Sequence, residues 1–280
     1  MAYDVGVVGG GTMGVGIAYR FAVTGANVRL ADIDLASAES AVERVHTVLD
    51  RSLAREKLSA KVAAAASQRL KPVASVTALP ERLDVVVESV FEDEVVKGEV
   101  LRFAEERNPA VLASNTSGIS IDVLASYLDD ATCFAGMHFF NPVWAIDLVE
   151  VIRGSATSEA TIDAVLGLAS SLGMEAAVVR DAPGFASTRL GLALGLEAVR
   201  MVEQGVAAPE DIDRAMVLGY RHAMGPLRTG DLVGWDVRLA IAEHLCEEYG
   251  DRYAPPELLR AMVAEGRLGK KTGRGFYDWD

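Results

Sequence analysis

An α/β protein, a mostly parallel sheet domain followed by an all-α domain, is the fold class that this sequence predicts, and three observations predict it. Over roughly the first 180 residues, short β-rich runs alternate with helical stretches, the pattern of a parallel sheet covered by helices. The first of these runs meets a glycine-rich turn and then a helical pattern. Beyond Asp181-Ala182-Pro183-Gly184 the strand patterns stop and helical periodicity takes over.

Taken in order, the expected strands cover residues 4–8, 27–32, 84–88, 110–114, 132–136, 148–152 and 176–180. Between the second and third, residues 35–69 carry Val42, Val45, Val48, Leu49, Leu53 and Leu58 at roughly helical spacing. That is more chain than one crossover needs, so a helical hairpin projecting from the sheet is expected there. From Phe185 to Gln204 the non-polar positions are Leu, Ala, Gly, Val and Met on several faces, as in a helix buried all round. Helical patterns then continue, broken at Gly205, Gly225-Pro226 and Pro255-Pro256. A boundary near residue 183 follows, with domains at 1–182 and 183–280.

Charge and composition narrow the classes of function. Of the 280 residues 27 are Lys or Arg and 40 are Asp or Glu, a net charge of −13, which argues against a nucleic-acid backbone or an anionic membrane surface as partner. The longest stretch free of charged residues, 131–146, holds His138 and Pro142 and is too short to span a bilayer. No basic segment precedes an apolar run at the start, so no secretory leader is expected. Cys133 and Cys246 offer neither a metal-ligand spacing nor a disulfide framework. The expectation is a soluble, cytoplasmic protein without a metal.

Two constellations carry chemistry. Gly9-Gly10-Gly11-Thr12-Met13-Gly14 is a GxGxxG turn that follows a strand and opens a helix. Gly9 permits the tight turn, Gly11 lets the backbone approach a pyrophosphate, and Gly14 lets the helix pack on the strand. Thr12 and Met13 belong to the same cofactor-binding turn, with the phosphates at the helix N-terminus. Asp32 ends the second strand, 18 residues after Gly14. There a carboxylate accepts from the adenosine ribose hydroxyls and repels a 2′-phosphate, so the turn reads as a Rossmann-type site for NAD rather than NADP.

The second constellation lies downstream. Ser114-Asn115-Thr116-Ser117 follows an apolar strand, where parallel sheets place ligand-binding groups. His138 follows another strand, and Glu150 sits inside the apolar run Leu148-Val149-Glu150-Val151-Ile152, where a carboxylate needs a partner. Transfer of a hydride from an alcohol to nicotinamide requires a base for the hydroxyl proton. A histidine held in its tautomer by a buried carboxylate meets that need. His138 and Glu150 are the candidate pair, with Ser117 as hydrogen-bond donor to the substrate oxygen.

These residues lie in stretches that closely resemble the 3-hydroxyacyl-CoA dehydrogenase family, particularly its short bacterial 3-hydroxybutyryl-CoA dehydrogenases. The matching stretches are residues 5–18, VVVESVFEDEVVKGEV at 85–100, LASNTSGI at 112–119, GMHFFNPVWAIDLVEVI at 136–152, DAPGF at 181–185, residues 210–219, MGPLRTGDLVGWD at 224–236 and LGKKTGRGFYDW at 268–279. The resemblance implies that His138 is the catalytic base, Glu150 its partner, and Ser117 a contact for substrate and nicotinamide. It implies that Glu92, Lys97 and Asn141 contribute to the NAD site, Asn141 also bordering the substrate. The helical projection would help hold the CoA nucleotide, with Arg51, Ser52, Arg55 and Lys57 as candidates. A homodimer formed through the helical domain is implied as well.

The resemblance has departures. The family's PGF segment continues to an Asn that helps bind the substrate oxygen, and Thr188 stands there in this chain. Trp235 replaces a usual Leu, and Trp144 a small or aliphatic residue. They leave open an alternative in which the hydroxyacyl group is carried by acyl carrier protein instead of CoA. A β-hydroxyacid dehydrogenase using a Lys on its interdomain helix is disfavoured, because residues 185–204 contain no Lys. A non-catalytic NAD-binding relative is disfavoured by the presence of His138, Glu150 and Ser117.

Overall fold

The computed structural model describes residues 2–279, which divide into two compact units between Ala182 and Pro183. The first runs β1 (Asp4–Val8), α1 (Thr12–Val23), β2 (Asn27–Ala31), α2 (Leu35–Ala54), α3 (Ala60–Arg69), β3 (Leu70–Val73), β4 (Val85–Glu88) and α4 (Glu94–Glu105). It continues through β5 (Leu112–Ser114), α5 (Ile121–Ala125), β6 (Phe134–Phe139), β7 (Leu148–Arg153), α6 (Glu159–Ser171) and β8 (Glu175–Arg180). The strands form one sheet in the order β3-β2-β1-β4-β5-β6-β7-β8. Every pairing is parallel except that of β6 with β7.

The central strands are short apolar runs because helices cover both faces. In β1 the four residues after Asp4 are buried, and all of β4 is buried, Glu88 included. The reversal at β2–β1–β4 opens a crevice at the carboxyl ends of the strands, where ligands of such sheets bind. Side-chain caps fix the helices that border it: Asp34 accepts from Ser37 N at the start of α2, and Asp93 from Val96 N at the start of α4.

The sheet has eight strands where seven were expected. The unforeseen β3 is an edge strand whose Leu70-Lys71-Pro72-Val73 sequence is disguised by its proline, tolerated at an edge. Thr132 stands in a short 3-10 turn, and β6 starts at Phe134 and extends to Phe139. His138 therefore lies within a strand instead of following one. The helical hairpin between β2 and β3 packs on α1, burying Val42, Val45 and Leu49, and does not stand clear of the sheet domain.

The second unit is helical: α7 (Ser187–Glu203), α8 (Pro209–Arg214), α9 (Pro226–Val233), α10 (Trp235–Tyr249) and α11 (Glu257–Ala264). The expectation of a helix buried all round fails for α7. It buries the face carrying Leu192, Leu196 and Val199, while Leu190 is 71% exposed. Two buried carboxylates organise this unit. Asp213 accepts from the backbone N–H groups of Leu227 and Arg228 and from the Tyr277 hydroxyl. Asp231, 1% exposed, accepts from Trp235 Nε1, Trp279 Nε1 and the backbone N–H groups of Phe276 and Tyr277. The tail is thereby tied to the helix bundle.

Among the described residues no helix is long and apolar enough to cross a membrane, and no group of His, Cys, Asp and Glu is arranged to hold a metal ion.

Candidate active site

A cavity of about 700 Å³ opens at the carboxyl ends of the strands in the first unit. It brings together Gly9, Gly11, Thr12, Met13, Asp32, Glu92, Ser117, His138 and Asn141. The glycine turn explains itself sterically. Gly9 has φ +103°, and a Cβ on it would lie 2.5 Å from Ser89 O. A Cβ on Gly14 would lie 1.8 Å from Gly9 O, so that position sits beneath the turn and admits only glycine. A Cβ on Gly11 would meet nothing within 4 Å: this glycine faces open space. No side chain caps α1, which begins directly behind it. A backbone edge open to the cavity, at a helix N-terminus, fits the pyrophosphate of a dinucleotide.

Asp32 is held by two backbone donors. Gly10 N donates to Oδ2 at 2.9 Å and Ile33 N to Oδ1 at 2.7 Å. The carboxylate thus keeps one orientation at the cavity wall and fits the ribose hydroxyls of an adenosine.

The His–Glu pair follows from register. β6 and β7 are antiparallel with His138 directly opposite Glu150, which puts both side chains on one face of the sheet. His138 Nδ1 lies 2.8 Å from Glu150 Oε2. Both residues are buried, and Phe140 packs on the imidazole with ring centroids 4.6 Å apart. Asn115 braces the strand from below: its Oδ1 accepts from Phe139 N and its Nδ2 donates to Ser89 Oγ.

Ser117 is held by Glu92, whose Oε1 accepts from Ser117 N at 2.8 Å, Ser117 Oγ at 3.1 Å and Thr116 Oγ1 at 2.6 Å. Burial pushes the Glu92 carboxyl up, but the Lys97 charge and these hydrogen bonds outweigh it and hold it below the ordinary range. Lys97 does not reach the cavity. Its ammonium is fully buried, 2.9 Å from Glu88 Oε1 and 3.3 Å from Glu92 Oε2. Glu88 was missed in the sequence although it ends an apolar strand just as Glu150 interrupts one. It is fully buried and also accepts from Ser114 Oγ and Val90 N. Burial pushes its carboxyl upward, against the opposing pull of Lys97.

The remaining expected residues lie elsewhere. Arg51 and Arg55 are exposed at the end of α2, with Lys57 in the turn beyond. Ser52 is instead buried and bonded to the Tyr19 hydroxyl, so it faces the interior and not a substrate. Thr188 is the second residue of α7, in the second unit.

Glycine turn, the Asp32 carboxylate at the cavity wall and switch-point cavity together define a Rossmann-type dinucleotide-binding protein. The family model described as 3-hydroxyacyl-CoA dehydrogenase, NAD binding domain, matches residues 4–182, and that of the C-terminal domain matches 184–279. The chain belongs to the 3-hydroxyacyl-CoA dehydrogenase family. It is 41% identical to the 3-hydroxybutyryl-CoA dehydrogenase of Mycobacterium tuberculosis and 39% identical to that of Clostridioides difficile, each over 98% of this chain and 98% of the relative. The crystal structure of (S)-3-hydroxybutyryl-CoA dehydrogenase from Ralstonia eutropha superimposes with a TM-score of 0.94 at 42% identity, covering both chains fully.

Proposed function

We propose that this protein is an NAD-dependent L-3-hydroxyacyl-CoA dehydrogenase that interconverts a short 3-hydroxyacyl-CoA, such as 3-hydroxybutyryl-CoA, with its 3-oxoacyl-CoA. The observation that carries the reading is His138, paired with the buried Glu150, lining one cavity with the glycine turn. The names of the relatives support the acyl-CoA. Bound NAD supplies the hydride acceptor at nicotinamide C4. His138 takes the hydroxyl proton through Nε2 while Glu150, at Nδ1, fixes the tautomer and stabilises the imidazolium.

Ser117 works with a constraint imposed by Glu92. A hydroxyl that gives its proton to Glu92 accepts from a substrate hydroxyl. To donate to a ketone oxygen, its proton must turn away from Glu92. Lys97 acts on Glu92 and so on Ser117, and Asn141 borders the reacting centre with its amide. Arg51, Arg55 and Lys57 are the cations offered to the CoA phosphates. We place Thr188 beside the substrate oxygen, and assign the second unit to homodimer formation, consistent with exposed Leu190, Leu218 and Tyr220. The reading implies a cytoplasmic enzyme.

Oxidation of NADH by acetoacetyl-CoA tests the proposal. His138→Gln should lower turnover by about 100-fold or more, the scale of general-base loss, with NADH binding nearly unchanged. Retention of most of the activity by this variant refutes the mechanism.

A further inference from the structure

Arg44 takes no part in the chemistry above, yet it touches the glycine turn. From the second turn of α2 onward the helix runs past Gly10, and Arg44 Nη2 donates to Gly10 O at 2.6 Å while its Nε donates to Ser40 O at 3.4 Å. Gly10 N, in turn, donates to Asp32 Oδ2. A cation and an anion therefore brace the two polar groups of the same residue. A Cβ on Gly10 would lie 2.5 Å from Asp32 Oδ2 and 3.6 Å from Arg44 Nη2, so the two charges are neighbours across that glycine. Beside them a hollow of about 490 Å³ is lined by Gly10, Asp32, Asp34, Ser37, Ser40 and Arg44.

We propose that Arg44 is a specificity-determining residue of the adenosine-ribose subsite, and that the subsite is a latent 2′-phosphate site which Asp32 keeps closed. The proposal rests on the reading of this turn as an NAD site. A ribose 2′-hydroxyl needs an acceptor, which Asp32 provides. A 2′-phosphate needs a cation and hydroxyl donors, and Arg44, Ser37 and Ser40 supply them from the same wall. The balance of charge decides between the two. Asp32 and Asp34 outnumber Arg44, so a phosphate meets net negative charge. Asp34 is committed to capping Ser37 N, and its carboxyl is held low by that bond. Removal of the Asp32 charge leaves Arg44 to offset Asp34, and removal of Arg44 as well restores the deficit.

Direct titration of NADH and NADPH, by calorimetry or cofactor fluorescence, separates these terms in the full chain. Asp32→Ser should tighten NADPH binding by about tenfold or more, one decade corresponding to about 1.4 kcal/mol. Asp32→Ser with Arg44→Leu should lose most of that gain, and Asp32→Ser with Arg44→Lys should keep part of it, since Lys retains the charge without the planar fork. NADPH binding to Asp32→Ser should weaken with added salt more steeply than NADH binding does. A gain of equal size with and without Arg44, or no gain at all, overturns the proposal. NADH binding by Asp32→Ser with Arg44→Leu, compared with that by Asp32→Ser alone, separates charge from support of the turn. A loss confined to NADPH supports the proposal, and an equal loss of both cofactors overturns it. Failure of the unmodified protein to bind NADH is a different result, one that overturns the cofactor reading itself.

Discussion

At the scale of single residues, two of the three departures from the family pattern are accounted for by packing. Trp235 is buried and donates to Asp231, with Phe276 edge-on at 5.1 Å between centroids. Trp144 packs edge-on to Tyr19 at 6.4 Å. Thr188 is the departure that the proposed function sets beside the substrate. Threonine offers one hydroxyl close to the backbone, where asparagine offers a donor and an acceptor on a longer side chain. One hydrogen bond to the developing alkoxide is worth about 1–3 kcal/mol, or roughly 5- to 150-fold in rate. Thr188→Asn should therefore raise kcat/KM for acetoacetyl-CoA by about fivefold or more in steady-state assays. An unchanged or lower value favours the carrier-protein substrate. Legibility at this scale depended on contrast: His138 and Glu150 stood out as polar residues in apolar runs. Ser52 looked like one more polar residue on a basic helix, because nothing in the local sequence shows that its face meets Tyr19.

The element that matters most to the site is the junction of β4 with α4. Lys97 reaches back from α4 to Glu88 at the end of β4 and to Glu92 in the intervening loop, and Glu92 holds Ser117 from the loop after β5. One buried ammonium thus fixes the spacing of two loops. Lys97→Met leaves Glu88 buried without its cation, a change that costs about 3–5 kcal/mol. Chemical denaturation of the variant should show a loss of that size. An unfolding free energy within 1 kcal/mol of the parent, on the order of a surface substitution, contradicts the ion-pair account. The pattern of alternating elements was readable because parallel strands are apolar on both faces. β3 was not, since its four residues include a proline and a lysine, and the ends of β6 were misjudged because Phe139 continues a strand past a histidine.

For the molecule as a whole, the division into a sheet unit and a helical unit was visible where strand patterns stop. What stabilises the second unit was not visible, because every donor to Asp213 and Asp231 except the nearby Trp235 comes from 14 to 64 residues away in sequence. A carboxylate with four donors and almost no exposure is a tie between helix bundle and tail. Asp231→Asn replaces one acceptor oxygen by a donor facing other donors, so it should cost the second unit about 1–3 kcal/mol. Tryptophan fluorescence during unfolding reads this directly, with Trp235 and Trp279 both bonded to that carboxylate. NADH binding should persist, since the glycine turn belongs to the first unit. An unshifted fluorescence transition argues that the tail is anchored by its aromatic packing alone.

The antiparallel pairing of β6 and β7 has a consequence for how this chain can diverge. The partnership of His138 with Glu150 is set by sheet register, and a one-residue slip in either strand would turn one of them to the opposite face. The connection between the strands is outside that register: Val143 and Trp144 pack it on the core, while Asn141 lines the cavity. Substitution at Asn141 can therefore reshape the cavity wall while the His138–Glu150 pairing stays fixed. Selection for a new acyl group can act on that loop separately from selection for the chemistry.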